Sequence, residues 1–316
     1  MNAIETTGLT RSFGEVHALR GLDLQVPAGS ICALLGPNGA GKTTAIRILA
    51  TLCRPDSGRA RVCGFDVVDQ ALEVRRRIGL AGQHAAVDDN LTGQDNLFIL
   101  GLMHHLGRRG ARQRASELLE RFALAEAGDR PVKTWSGGMR RRLDLIASLV
   151  VDPPVLFLDE PTTGLDLRSR AEIWTSAKEL ANQGSTVLLT TQYLDEADAL
   201  ANDVVIIDAG RTVAQGRPEQ LKDRIGTRVD VVVADPGDLP AAATALARWA
   251  TSEPTTDTDH RRVSAAVPAG ALTLPELVRH LDGAGVPVLD AGIHRPTLDE
   301  VFLALTDPAT TAKDVA

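Results

Sequence analysis

The eight residues GPNGAGKT, Gly36 to Thr43, constrain the fold of this chain more than any other stretch. They match the pattern G-x-x-x-x-G-K-[ST] and stand between an apolar run, SICALL, and a helical pattern, AIRILATL. In such a loop, glycines let backbone N–H groups turn towards a β-phosphate, lysine neutralises phosphate oxygens and threonine can ligate Mg²⁺. The order of strand, loop and helix predicts a mononucleotide-binding α/β unit. The residues predicted to surround the nucleotide here are Gly36, Pro37, Asn38, Gly39, Ala40, Gly41, Lys42, Thr43 and Thr44.

Two further apolar runs end in polar residues. The run from Val155 to Leu158 is followed by Asp159 and Glu160, and the run from Thr186 to Thr190 leads to Gln192. Several such runs predict a parallel core sheet with a site at its carboxyl edge. Asp159 is then placed to hold Mg²⁺, and Glu160 to orient or deprotonate water. Taken alone, the Asp-Glu pair would be an ordinary solvated strand end.

A second candidate anion site lies in WSGGM, from Trp135 to Met139. Ser136 offers a hydroxyl, and Gly137 and Gly138 offer backbone N–H groups at the start of a helix, although a simple capped helix start has the same pattern. The arginines at 140–142 follow. They could contact phosphate or a partner carboxylate, but a solvated helix face is the default interpretation.

Changes in sequence pattern along the chain predict two domains. Short strands broken by Gly between Asn2 and Val26 indicate an antiparallel N-terminal sheet, and the composition turns helical and Arg-rich at about residues 84–150. We therefore expect a nucleotide-binding domain at 1–221 with a mostly parallel core sheet, an antiparallel N-terminal subdomain and an inserted helical subdomain. A smaller α+β accessory or regulatory domain is expected at 222–316.

Two details refine the predicted C-terminal domain. Thr273 with Glu276, and Thr297 with Glu300, have capping-box spacing and predict two helix starts. The polar segment SEPTTDTDH, residues 252–260, is expected to be an exposed loop.

Composition limits the classes of function. A net charge of -7 over 316 residues gives no basic field for nucleic acid, so binding to nucleic acid is not expected. The three cysteines, Cys32, Cys53 and Cys63, form no C-x-x-C pair, which favours a reducing, cytosolic compartment without a zinc site. No run of about 18 apolar residues occurs, so we expect no direct bilayer insertion.

The motifs together resemble the ATP-binding subunit of ABC transporters over residues 1 to about 220. The set comprises GPNGAGKTT, Gln83 in GLAGQH, WSGGM, VLFLDEP and TTGLD ending at Asp166. The resemblance implies ATP and Mg²⁺ as cofactors, Lys42 and Glu160 in catalysis, and Thr43, Gln83 and Asp159 around the metal. It further implies a homodimer formed on ATP binding. Each nucleotide would lie between one chain's Lys42 loop and the other chain's Ser136, Gly137, Gly138 and Asp166, with Phe13 stacked on adenine.

Three positions depart from the commonest family form. Trp135 stands where Leu is usual, Met139 where Gln is usual, and Gln192 where His is usual. With the C-terminal RPTLDEVFLALT, these variations look like the daunorubicin/doxorubicin-resistance type. That type implies drug export through a separate membrane permease, with this chain peripheral at the inner face of the membrane.

The glutamine leaves two accounts of catalysis open. Its amide cannot exchange a proton near neutral pH as imidazole does, so hydrolysis should be slow if this position works by proton transfer. If the position instead holds the γ-phosphate and the attacking water in place, Gln192 suffices, with Glu160 as the base. Gln192 could instead only cap the helix that begins at Tyr193 or Leu194. Two other functions remain as alternatives: a nucleotide-gated dimerising regulatory module with little turnover, and a soluble ABC-type ATPase acting on ribosomes or nucleic acid.

Overall fold

The computed structural model describes residues 1–82 and 87–306. It contains two compact units, Met1–Gln215 and a second unit that begins at Gly216. In chain order the strands are β1 (Asn2–Phe13), β2 (Val16–Pro27), β3 (Ile31–Leu35), β4 (Ser57–Val62), β5 (Phe65–Asp66), β6 (Ile78–Ala81), β7 (Val155–Asp159), β8 (Thr186–Thr191), β9 (Asp203–Asp208), β10 (Arg211–Gly216), β11 (Thr227–Val233), β12 (Thr255–Asp257), β13 (Arg262–Val267) and β14 (Val288–His294). The α-helices are α1 (Lys42–Leu49), α2 (Ala71–Arg75), α3 (Gly93–Met103), α4 (Gly107–Arg121), α5 (Gly137–Ala147), α6 (Leu167–Asn182), α7 (Leu194–Leu200), α8 (Pro218–Ile225), α9 (Leu239–Ala247), α10 (Leu274–Gly283) and α11 (Leu298–Thr306).

A six-stranded sheet forms the centre of the first unit, in the order β10-β9-β3-β8-β7-β6. Strand β3 pairs in parallel with β8 and β9, and β7 pairs in parallel with β6 and β8. Every residue of β3, β7 and β8 is buried, as expected for parallel strands covered on both faces. The predicted mostly parallel core sheet is confirmed, and the carboxyl ends of β3, β7 and β8 meet at one edge.

The N-terminal sheet is antiparallel, but the expectation of short strands broken by glycine is wrong. Strands β1 and β2 each run for 12 residues, in a sheet of order β2-β1-β4-β5. The pairing register shifts between Thr6 and Leu9 and again beside Gly21. Gly8 and Gly21 have φ angles of 57° and 104°. The glycines therefore mark irregularities within continuous strands, where a residue with positive φ lets pairing resume.

Three helices, α3, α4 and α5, occupy the region predicted to be helical. Helix α3 begins after Thr92, whose side chain caps it by accepting a hydrogen bond from the Asp95 N–H. A Cβ at Gly101 would lie 2.7 Å from the Ala111 Cβ, so glycine is what lets α3 and α4 pack closely. None of the helices in residues 1–82 and 87–306 has the length and apolarity needed to cross a bilayer.

The second unit has an α+β architecture. Its sheet has the order β12-β13-β11-β14, with antiparallel pairs throughout, and α9 and α10 give a β-α-β-β-α-β connectivity. Apolar residues from strands β11 and β13 and from both helices form its core.

The two capping predictions in this unit are confirmed. The Glu276 carboxylate accepts hydrogen bonds from the N–H and hydroxyl of Thr273, at 3.0 and 2.7 Å. The Glu300 carboxylate accepts from the Thr297 N–H at 2.9 Å. The predicted loop at 252–260 is exposed but is only partly a loop. It contains the edge strand β12, because its β-branched threonines complete the open side of β13.

Candidate functional site

The phosphate loop leaves the end of β3 and closes on the first turn of α1. Gly41 occupies the N-cap of α1 with a φ of 105°, and a Cβ there would lie 2.5 Å from the Ala18 carbonyl oxygen. A Cβ at Gly36 would lie 2.4 Å from the Ile207 carbonyl oxygen. Both glycines are thus required by close backbone approach. The loop borders a cavity of about 340 Å³, within the usual range for small-molecule sites. Its lining residues are Val16, Ala18, Asn38, Gly39, Gly41, Lys42, Thr43, Thr44 and Glu160.

Lys42 places a cation at the base of this cavity. Its side chain is only 4% exposed, and its ammonium donates hydrogen bonds to the carbonyl oxygens of Gly36 at 2.7 Å and Pro37 at 3.2 Å. Burial lowers the pKa of Lys42, while the nearby carboxylates of Glu160 and Asp159 oppose that shift. The ammonium lies 3.9 Å from a Glu160 carboxylate oxygen, so cation and carboxylate face the same space.

Asp159 lies beside the loop because β8 pairs in parallel with both β3, which leads into the loop, and β7. The hydroxyl of Thr43 donates to Asp159 Oδ1 at 3.2 Å, and the hydroxyl of Thr190 donates to the same oxygen at 2.7 Å. Asp159 is paired directly opposite Thr190 in the sheet. A threonine hydroxyl and a carboxylate this close are hard oxygen ligands of the kind Mg²⁺ takes, with its remaining positions filled by phosphate and water. In the described ranges no group of three or more His, Cys, Asp or Glu side chains could hold a metal by itself.

Glu160 projects into the cavity from a strained backbone. Its φ is 50°, in the left-handed region that non-glycine residues rarely adopt. Its N–H donates to Thr190, to the hydroxyl at 3.0 Å and to the carbonyl oxygen at 3.2 Å. The Thr163 hydroxyl donates to its carboxylate at 3.3 Å. Strain of this kind persists only where surrounding contacts enforce it, and it is typical of functional sites.

Ser136 begins α5 as its N-cap and accepts a hydrogen bond from the Met139 N–H at 3.2 Å. The preceding Trp135 is 3% exposed and packs against α3, where a Cβ on Gly93 would lie 2.5 Å from its ring. The indole N–H donates to the Arg130 carbonyl at 3.2 Å. Tryptophan at this position is therefore an anchor for the start of α5. Ser136 itself is exposed.

The expectation of a solvated face for the arginines at 140–142 is wrong for two of them. The Arg141 side chain is 15% exposed and its guanidinium points to the end of β7. Arg142 is 17% exposed, ion-paired with Glu172 at 3.4 Å, and donates to the Phe122 carbonyl at 3.3 Å. Periodicity alone could not separate these arginines from surface residues, because their acceptors are carbonyl oxygens distant in sequence.

Glu196 is a buried carboxylate in the first turn of α7. It is 1% exposed and accepts hydrogen bonds from the Trp174 indole at 2.9 Å and the Thr162 hydroxyl at 3.2 Å. Burial raises the pKa of Glu196, and these hydrogen bonds oppose the rise. The carboxylate thereby joins α7 to α6 and to the segment after β7.

Comparisons with known proteins agree with this geometry. A family model described as ABC transporter matches residues 19–163. The daunorubicin resistance ATP-binding protein DrrA3 of Streptomyces coeruleorubidus is 53% identical over 315 residues, covering 99% of both chains. The daunorubicin/doxorubicin resistance ATP-binding protein DrrA of Streptomyces peucetius is 48% identical over 309 residues, covering 96% of this chain and 92% of that protein. The chain belongs to the ABC transporter ATP-binding proteins.

A solved ABC transporter structure has the same fold. CbiO1 from Clostridium perfringens, described as part of the ABC transporter complex cbiONQ, superposes with a TM-score of 0.64 at 25% identity, over 70% of this chain and 90% of that one. The predicted P-loop ABC-type fold is confirmed, and ATP binding and hydrolysis are the activity of this ABC protein.

Two further predicted site residues of this ABC protein, Phe13 and Asp166, are not among the residues that line the cavity. Phe13 ends β1, is 47% exposed and has the Arg11 guanidinium 4.8 Å from its ring centre. Asp166 is the N-cap of α6 and accepts from the Ser169 N–H at 2.7 Å, which lowers its pKa. Gln83 lies outside the described residues.

Gln192 is exposed and follows the last residue of β8. Helix α7 begins at Leu194 with Tyr193 at the N-cap, so Gln192 does not occupy the capping position. The Tyr193 N–H donates instead to the Thr191 hydroxyl at 2.9 Å. The interpretation of Gln192 as only a helix cap is therefore not supported.

Proposed function

We propose that this ABC protein uses Mg-ATP hydrolysis to power export of a drug-like or antibiotic substrate through a separately encoded membrane permease. The observation that carries the ATPase part is that Lys42 and Glu160 line one cavity, with Asp159 hydrogen-bonded to Thr43 beside them. The substrate class rests on similarity over nearly the whole chain to proteins named for daunorubicin resistance. The chain would accordingly work in the cytoplasm, peripheral to the membrane through its permease.

Each side chain at the cavity has a separate proposed task. The Lys42 ammonium would neutralise β- and γ-phosphate oxygens, and Thr43 with Asp159 would hold Mg²⁺, which supplies charge stabilisation when bound. Glu160 would accept the proton of the attacking water, because its carboxylate lines the cavity 3.9 Å from Lys42. Gln192 would hold the phosphate and the water through its amide without exchanging a proton.

A second copy of the chain is proposed to complete the site. In the described part of this chain, the residues lining the Lys42 cavity include none from α5. Ser136 is nevertheless exposed at the N-terminus of that 11-residue helix, where free N–H groups favour an anion. Ser136, Gly137, Gly138 and Asp166 would therefore act on the nucleotide of the other copy, while Phe13 stacks on adenine and Gln83 contributes to the metal site.

Substitution of Ser136 tests the two-copy site. We expect Ser136→Arg to abolish ATP-dependent dimerisation, since a bulky cation replaces a small hydroxyl at the shared surface, while ATP still binds to the monomer. Sedimentation with and without ATP, in a Glu160→Gln background that slows turnover, measures dimerisation, and a fluorescent-nucleotide titration measures binding. Loss of both properties would contradict the two-copy site. Ser148→Arg, near the far end of α5, is a control for added charge.

The C-terminal domain is proposed to be an accessory domain that stabilises the dimer. It has a separate core and begins at Gly216 with its first helix, α8, in contact with α11. A truncation after Gln215 therefore removes the unit without cutting through α8. Weakened ATP-dependent dimerisation or turnover in the truncated chain supports this role, and an unchanged monomer–dimer balance and turnover argue against it.

The export proposal is tested in cells and in solution with one pair of variants. Glu160→Gln removes the proposed base, and Glu179→Gln makes the same change at an exposed position on α6. With the permease present, wild type and Glu179→Gln should lower cellular daunorubicin and turn over Mg-ATP, whereas Glu160→Gln should do neither. ATP turnover without any change in drug accumulation would refute the substrate class and keep the ATPase assignment.

A further inference from the structure

Arg141 makes an unusually complete set of hydrogen bonds beside Glu160, which lines the nucleotide cavity. A guanidinium has five N–H donors in a fixed plane, and each of the five has an acceptor here. The acceptors are the carbonyl oxygens of Gly82 (2.7 Å), Asp159 (3.2 Å), Glu160 (3.0 Å) and Pro161 (2.8 Å), and a carboxylate oxygen of Asp144 (3.3 Å). The group therefore joins three segments: α5, the residue after β6, and the end of β7.

The three consecutive carbonyl groups at the end of β7 are the informative part of this set. They belong to Asp159, Glu160 and Pro161, and a single side chain binds all of them. The middle residue has a φ of 50°, which a non-glycine residue holds only under constraint from its surroundings. Its N–H is fixed from the other side by Thr190 at 3.0 Å. Both peptide groups of Glu160 are thus anchored: the one before it by Thr190 and Arg141, and the one after it by Arg141.

We propose that Arg141 is a positioning residue that holds the Glu160 backbone in its left-handed conformation and so aims the carboxylate into the nucleotide cavity. This rests on the proposed role of Glu160 as the base. Because Arg141 lies within the first two turns of α5, which begins directly after Ser136, the same contact fixes the spacing between the base of one site and the surface offered to the other copy. Lysine cannot replace it fully, since an ammonium has three donors and no planar fork.

The variants Arg141→Gln and Arg141→Lys test this role against Arg142→Gln. Arg142 is a neighbour of similar burial whose contacts, Phe122 and Glu172, lie away from β7. A shift of about 1 Å in a reacting group can cost on the order of 100-fold in rate. We expect Arg141→Gln to lower kcat by about 10- to 100-fold, with Arg141→Lys between it and wild type. The KM and the Kd for ATP should stay within about threefold, because the Lys42 loop is not among the contacts of Arg141.

Hydrogen exchange in the full-length chain gives a readout that does not depend on turnover. If Arg141 holds the segment Asp159–Thr163, its amides should exchange at least about tenfold faster in Arg141→Gln than in wild type or Arg142→Gln. Exchange and kcat that match the Arg142→Gln control would overturn the proposal. A similar rise in exchange across the whole first unit in both Arg141 variants would also overturn it, since that indicates general loosening. Turnover that survives Glu160→Gln would refute the base assignment alone, and the exchange measurement would still judge Arg141.

Discussion

Replacing Thr190 with valine separates the energetic role of one buried hydroxyl from its volume. Thr190 is fully buried, and its hydroxyl donates to the Asp159 carboxylate at 2.7 Å while accepting from the Glu160 N–H at 3.0 Å. Valine keeps the shape and removes both bonds. A hydrogen bond to a charged group contributes about 1.5–3 kcal/mol, so Thr190→Val should lower the free energy of unfolding by about that amount. The Glu160 N–H keeps its other acceptor, the Thr190 carbonyl oxygen at 3.2 Å, so losing the hydroxyl as an acceptor adds little to this cost.

Thr186→Val on the same strand is the matched control. Thr186 is 1% exposed, and its hydroxyl accepts a hydrogen bond from the Gly29 N–H at 3.0 Å, a bond between neutral groups. Its replacement should cost about 0.5–1.5 kcal/mol. Urea unfolding measures the cost of both substitutions. Tryptophan emission in a Trp249→Phe background reports on the first unit, because the other two tryptophans lie in that unit. If Thr190→Val costs no more than Thr186→Val, the charge-assisted bond to Asp159 is not stabilising and the reasoning is refuted.

Three further predictions concern the loop, a buried carboxylate and the glutamine. Gly41→Ala should weaken nucleotide binding at least about tenfold more than Gly39→Ala. Of these two, only the Cβ at position 41 would meet backbone, 2.5 Å from the Ala18 carbonyl oxygen. Equal losses of affinity in a fluorescent-nucleotide titration would contradict this. Burial raises the pKa of Glu196 above its ordinary 4.5, so the stability of the wild type should fall as pH rises through the window above 4.5. In urea unfolding, the free energy of unfolding of Glu196→Gln relative to wild type should therefore rise from acid to neutral pH. A difference between the two that stays constant with pH would contradict this prediction. Gln192→Ala should lower kcat, whereas Gln192→His should keep it without a new titration near pH 6.5; a new inflection there would indicate proton transfer at this position.

The parts of the site that the sequence predicts are those encoded by local pattern. Gly36 to Thr43 form the loop because strand, glycines and lysine follow one another in the chain. Asp159 and Glu160 reach it because an apolar run must be a buried parallel strand, and parallel strands end at a common edge. The capping boxes at Thr273 and Thr297 are equally local. Each of these predictions depended on residues within a few positions of one another.

The contacts that the sequence did not predict join distant segments. Arg141 binds carbonyl oxygens, and every residue has one, so no residue type marks its partners. Glu196 looks like an ordinary acidic residue in the first turn of a helix, and only packing shows that it is buried against Trp174. The glycines of β1 and β2 were misinterpreted for the opposite reason. A local signal for a break was overridden by sheet pairing on both sides.

The surroundings of Gln192 favour a positional role for its amide. On one side, Thr190 and Thr191 end a fully buried strand, and the Thr191 hydroxyl accepts the N–H of Tyr193 at 2.9 Å. On the other side, α7 is tied down through Glu196. An exposed residue between two fixed segments has little backbone freedom, so the point from which its side chain extends is nearly fixed. A group that works by hydrogen-bond geometry gains most from such a frame, whereas a proton carrier needs a suitable pKa, which an amide lacks. Glutamine at this position is therefore consistent with an ATPase whose proton acceptor is Glu160.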